Sequence, residues 1–113
     1  MVEQPKFKIA YLEEAILFLE NLPPKARAKM VYNIGKSMYC IDKEIFKKLE
    51  NCEIWEFRTL YNGIAYRLFS FWDTDGETLV VATHGIIKKS TKTPKKEIEK
   101  AEMIRKEYFN NKK

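Results

Sequence analysis

Apolar positions follow two different rhythms along this chain, one helical and one extended, and the change comes near its middle. In the first half Leu12, Ala15, Ile16 and Leu19 recur at three- and four-residue intervals. Leu22-Pro23-Pro24 then interrupts them before Ala26, Met30, Val31, Ile34 and Met38 resume the spacing. This pattern predicts a helical hairpin. Ahead of it Phe7, Ile9 and Tyr11 alternate with Lys8 and Ala10, a period of two that allows a short N-terminal strand. Ile41 to Leu49 is read as a further short helix.

The second half changes to β-rich runs separated by turn signals. Asn62-Gly63 and Asp75-Gly76 divide it into Glu53 to Leu60, Ile64 to Trp72 and Thr78 to His84, a three-strand antiparallel meander. Thr93 as N-cap and Pro94 as first helical residue then open a terminal helix with Ile98, Ala101, Ile104, Arg105 and Tyr108 along one side. The expected fold class is α+β: an antiparallel sheet packed with the hairpin and the last helix, in one domain spanning residues 1–113.

Strand periodicity assigns the polar residues to faces. Trp55 and Phe57 share one side of the first long strand and point toward helices, which turns Glu56 and Arg58 toward an open concave surface. Arg67 lies with Ala65 and Phe69 in the middle of an otherwise apolar strand, a costly place for a charge unless it is used. One reading makes it half of a buried ion pair with Glu56 or a helix acid; another makes it a ligand-binding arginine; the two are compatible.

Composition narrows the function classes. A chain of 113 residues with 45% hydrophobic and 13% aromatic content can bury one small core. No apolar run approaches the ~20 residues of a membrane helix. The amino terminus lacks a signal-peptide pattern, so the expected compartment is the cytoplasm. Cys40 and Cys52 lack CxxC spacing and share the chain with a single histidine, which favours plain thiols over zinc or a disulfide. No metal or cofactor is expected. The net charge of +5 is uneven: residues 1–87 carry −1 and residues 88–113 carry +6. Such asymmetry suits a polyanion-binding edge, although a solvated helix face has the same composition.

The tract from Thr83 to Pro94 concentrates the chemistry, with His84, Lys88, Lys89 and Lys92 and no carboxylate. Cationic donors beside one group that titrates near neutral pH suit a phosphate-bearing ligand. His84 has a bland reading as a strand-end histidine bonded to a backbone carbonyl, and a functional one as a proton carrier.

Taken in order, Ile54-Trp55-Glu56-Phe57-Arg58, Tyr66-Arg67-Leu68-Phe69, His84-Gly85-Ile86-Ile87-Lys88-Lys89, Thr91-Lys92-Thr93-Pro94 and Glu97-Ile98-Glu99-Lys100-Ala101 resemble a HigB-like, phage-related toxin of the RelE/ParE superfamily. The match covers about residues 50–108. Ile86 stands where phenylalanine is frequent in that motif, and Ser90 where threonine is common. The resemblance implies a RelE-like fold and the toxin of a type II toxin–antitoxin pair that cleaves mRNA on the ribosome without a metal. It implies as partners a cognate antitoxin, a small helix-turn-helix protein, and mRNA.

Metal-free RNA cleavage needs a base for the 2′-hydroxyl, cations for the crowded phosphate and an acid for the leaving 5′-oxygen. Arg58, Arg67, His84, Lys88, Lys89 and Glu56 are the candidate catalytic set, with Lys92, Lys95 and Lys96 as RNA contacts. The better-understood RelE pattern has lysines where this chain has Ile54 and Glu56, and a tyrosine in the neighbourhood of Thr93-Pro94. Proton transfer here therefore falls to another set, His84 or Glu56. Two rival functions remain open: a ParE-type toxin acting on DNA gyrase, and a non-catalytic basic nucleic-acid-binding module.

Overall fold

The computed structural model describes residues 3–89 and 92–112. Its elements run β1 (Lys8–Tyr11), α1 (Glu13–Glu20), α2 (Pro24–Ser37), β2 (Phe46–Lys48), β3 (Trp55–Tyr61), β4 (Ile64–Asp73), β5 (Leu79–Lys88) and α3 (Lys95–Asn111). The five strands form one sheet in the order β1-β5-β4-β3-β2, with β1 parallel to β5 and every other pairing antiparallel.

The meander expected from the sequence is present, and its turns explain its register. Asn62 (φ 53°) and Gly63 (φ 78°) form a two-residue connection in the left-handed region, which joins Tyr61 directly to Ile64. Pro24 begins α2, where its missing N–H costs nothing. The two N-terminal helices cover one face of the sheet, where Ala15, Ala26, Met30 and Ile34 pack on Phe57, Leu68, Val80 and Ala82. Trp55 and Phe57 do point toward helices. On the opposite face α3 sets Ala101 against Ile54, Phe69, Phe71 and Val81. The layers are therefore α/β/α, and Arg67 sits on β4, the central strand.

Four expectations change. Residues 41–49 form no helix. Ile45 and Phe46 donate to the Asp42 carbonyl in a single turn, and the chain then becomes β2, because Phe46 stacks on Phe57 with ring centroids 4.2 Å apart. That cross-strand burial outweighs local propensity. The last strand does not end at His84 but continues to Lys88, past an irregularity near Phe69, so the first half of the tract from Thr83 to Pro94 is strand. Thr93 is not an N-cap: Pro94 holds that position, and the Thr93 hydroxyl donates to Glu56 Oε2 at 3.1 Å. Finally, Glu56 does not line an open surface. It is 2% exposed, because α3 and the segment before it close over that part of the sheet.

Candidate nucleic-acid interface

Alternation along the strands places Glu56, Arg58 and Arg67 on the α3 face. Arg58 pairs directly with Arg67 across β3 and β4, and Lys47 on β2 pairs with Glu56. Two like charges opposite each other repel. Here one carboxylate offsets both: Glu56 Oε1 lies 3.5 Å from Arg58 Nε and 3.4 Å from Arg67 Nε. Both Nε atoms are buried, and neither makes a hydrogen bond, so the pairing is electrostatic in character. Arg67 Nη1 donates to the Tyr66 carbonyl at 3.1 Å, and Arg58 Nη1 reaches the Lys43 carbonyl at 3.5 Å. Burial pulls the Arg67 guanidinium below its usual range, with Glu56 opposing and Arg58 adding to the effect.

Lys88, two positions beyond Ile86 on β5, joins the same field. Burial lowers its ammonium below the ordinary lysine range, and the charges of Arg67, Arg58 and Lys47 lower it further against the pull of Glu56. Among the described residues, Lys47, Arg58, Arg67 and Lys88 thus lie around the Glu56 carboxylate. The site carries an uncompensated positive charge with its donors partly desolvated, which is the electrostatic signature of an anion-binding site.

His84 belongs to a different cluster. Its Nε2 lies 3.1 Å from Glu97 Oε1 on α3, its Nδ1 lies 3.0 Å from the Thr83 hydroxyl, and its ring packs 5.0 Å from Phe69. Burial holds its pKa below the usual histidine value, against the opposing Glu97 hydrogen bond; Lys100 adds to the lowering and Glu14 opposes it. These contacts join α3 to β5 and β4, and none of them is to Arg58, Arg67 or Lys88.

Of the remaining expected cations, Lys89 and Lys92 are exposed just beyond β5, while Ser90 and Thr91 of the same tract lie outside the described residues. Lys95 and Lys96 are exposed in the first turn of α3. Lys95 borders a separate groove with Glu50, Cys52 and Ile98, away from the arginine pair. The structure adds two residues that sequence reasoning missed. Lys47 escaped because β2 was read as helix, and Thr93 because its position before a proline suggested a cap.

A model of the family of phage derived protein Gp49-like (DUF891) matches residues 17–106, most of the chain and all of the arginine cluster. The chain belongs to this Gp49-like family. No curated protein sequence matches it significantly. Among solved structures, the Gp49-like chain is similar to one in the toxin–antitoxin complex RelBE2 from Mycobacterium tuberculosis. The identity is 22%, the TM-score is 0.54, and the match covers 74% of this chain and 99% of that one. The fold of this chain is thus RelE-like, an α+β architecture with five strands and three helices among the described residues. No helix among the described residues is long and apolar enough to cross a membrane.

Proposed function

We propose that this Gp49-like protein is the toxin of a toxin–antitoxin pair and acts as a metal-independent endoribonuclease on ribosome-bound mRNA. The observation that carries the reading is the buried Glu56 shared between Arg58 and Arg67, with Lys88 and Lys47 beside them. A scissile phosphodiester supplies the negative charge that this cluster lacks, and paired guanidinium groups hold it for in-line attack.

In this mechanism the 2′-oxygen attacks phosphorus and the bond to the 5′-oxygen breaks, leaving a 2′,3′-cyclic phosphate and a 5′-hydroxyl. Glu56, buried behind the two arginines, takes the 2′-hydroxyl proton through an intervening water as the arginines turn from it to the phosphate. Lys88, whose lowered pKa eases proton release, protonates the leaving oxygen. His84 fastens α3 to the sheet and keeps this arrangement in place. Lys89 and Lys92 hold the flanking RNA backbone, with Lys95 and Lys96 extending that surface, and an acidic antitoxin segment covers it in the inactive complex.

The test uses protein co-expressed with its antitoxin, freed of it and added to translating ribosomes. The expected product is mRNA cut to 2′,3′-cyclic phosphate and 5′-hydroxyl ends. Replacing Lys88, Lys89 and Lys92 together by alanine abolishes cutting while the melting temperature stays within a few degrees. Intact mRNA with loss of gyrase supercoiling sinks the nuclease reading in favour of a ParE-type toxin. Harmless expression with neither effect sinks both.

A further inference from the structure

The arginine cluster has a neighbouring cleft that its phosphate chemistry does not use. β2 pairs with Trp55–Phe57, and the Arg58 N–H donates to the Ile45 carbonyl at 2.8 Å just before β2; beyond Arg58, β3 projects as an edge. α2 reaches over that edge: Lys29 Nζ donates to the Leu60 carbonyl at 2.6 Å, and Asn33 Nδ2 donates to the Arg58 carbonyl at 3.3 Å and to the Thr59 hydroxyl at 3.1 Å. Between these side chains and the turn before β2 lies a half-open cavity of about 520 Å³, walled by Glu44, Ile45, Leu60 and Ala65 as well as by Arg58 and Arg67.

We infer that this cleft holds the nucleobase next to the phosphate bound by Arg58 and Arg67, and that Glu44 selects bases bearing an exocyclic amino group. The inference rests on the reading of the site as an RNA-cleaving one and names what that site recognises. Three features support it. The cavity shares both arginines with the phosphate site, so a nucleotide anchored there directs its neighbouring base into it, and its size suits a small planar ligand. Leu60, 62% exposed in the free protein, offers with Ile45 and Ala65 an apolar surface for the base face, beside the Arg58 guanidinium. The edge carbonyls of Arg58 and Leu60 are already taken by Asn33 and Lys29, which removes the acceptors that an added peptide strand needs.

Glu44 sets the selectivity. Its backbone N–H is fixed by Asp42 Oδ1 at 2.9 Å, which places the exposed side chain at the mouth of the cleft. An ionised carboxylate only accepts hydrogen bonds. Adenine, cytosine and guanine present exocyclic amino donors to it, whereas uracil has the O4 carbonyl where cytosine has its amino group and keeps only the N3–H as a donor, so it is disfavoured.

The experiment maps cut sites on ribosome-bound mRNA for the natural protein and for Glu44→Ala. The natural protein is expected to avoid uracil at one fixed position beside the cut. Glu44→Ala should raise uracil there by about fivefold, the worth of one hydrogen bond, with its melting temperature unchanged. Cutting with the same base distribution in both proteins overturns the inference and leaves the nuclease reading intact. Where the natural protein cuts nothing, the nuclease reading fails, and the cleft is judged alone by NMR titration with CMP and UMP. Methyl shifts at Ile45, Leu60 and Ala65 with CMP but not UMP sustain it. Equal shifts, or none with either nucleotide, overturn it.

Discussion

Glu56 holds together the charges on which the proposed chemistry depends. It is buried, faces two arginines through one oxygen and accepts from Thr93 through the other. Removing its charge leaves Arg58 and Arg67 opposed across β3 and β4 with no counter-ion. Glu56→Gln preserves the shape and should destabilise the fold by about 3 kcal/mol, the scale of breaking a buried pair. Urea titration measures this; an unshifted midpoint means that the Glu56 charge is not what reconciles the arginines. Sequence reasoning already linked Glu56 to Arg58 by parity and Arg67 to Glu56 as a partner. It misjudged the surroundings, since parity gives a face and not what covers it.

At the scale of elements, α3 is attached by the apolar packing of Ala101, Tyr108 and Phe109 on the sheet and by polar ties at both of its ends. His84–Glu97 fastens its start, and Tyr108 and Lys112 fasten its end to the Asp73 carboxylate, each at 2.7 Å. Burial holds the folded-state pKa of His84 below its unfolded value of ~6.5. Above that value histidine is neutral in both states and its contribution is complete. As pH falls through the folded-state pKa, the unfolded chain binds more protons and the contribution is lost. The protein should therefore be less stable at pH 5.5 than at 7.5, and His84→Gln should flatten that difference; an unchanged slope assigns it to other groups. The joint between α1 and β5 makes a second prediction. A Cβ on Gly85 would fall 2.3 Å from the Phe18 ring, so Gly85→Ala forces α1 off the sheet and should cost about 2 kcal/mol. Thermal melting checks this, and recovery in a Gly85→Ala, Phe18→Leu double variant identifies the contact as the cause.

Across the whole molecule, Lys88 brings the positive charge of residues 88–113 to the arginines of the sheet, at the end of β5 beside Arg67. Lys95 and Lys100 of α3 border other grooves. The helical hairpin, the meander with its Asn62-Gly63 turn and the terminal helix follow from hydrophobic period and turn chemistry, which are local properties and so were legible in the residues. Arg67 on a central strand followed in the same way, from one charge in an apolar run. What β2 becomes, where β5 ends and what Thr93 bonds depend on partners far along the chain. Phe46 needs Phe57 to stack on, and Thr93 needs Glu56. Sequence by itself therefore determined which residues carry charge and on which side of each strand they lie. Tertiary packing alone decided that Glu56, Arg58, Arg67, Lys47 and Lys88 meet while His84 is drawn to α3, because desolvation and ion pairing act through space and not along the chain.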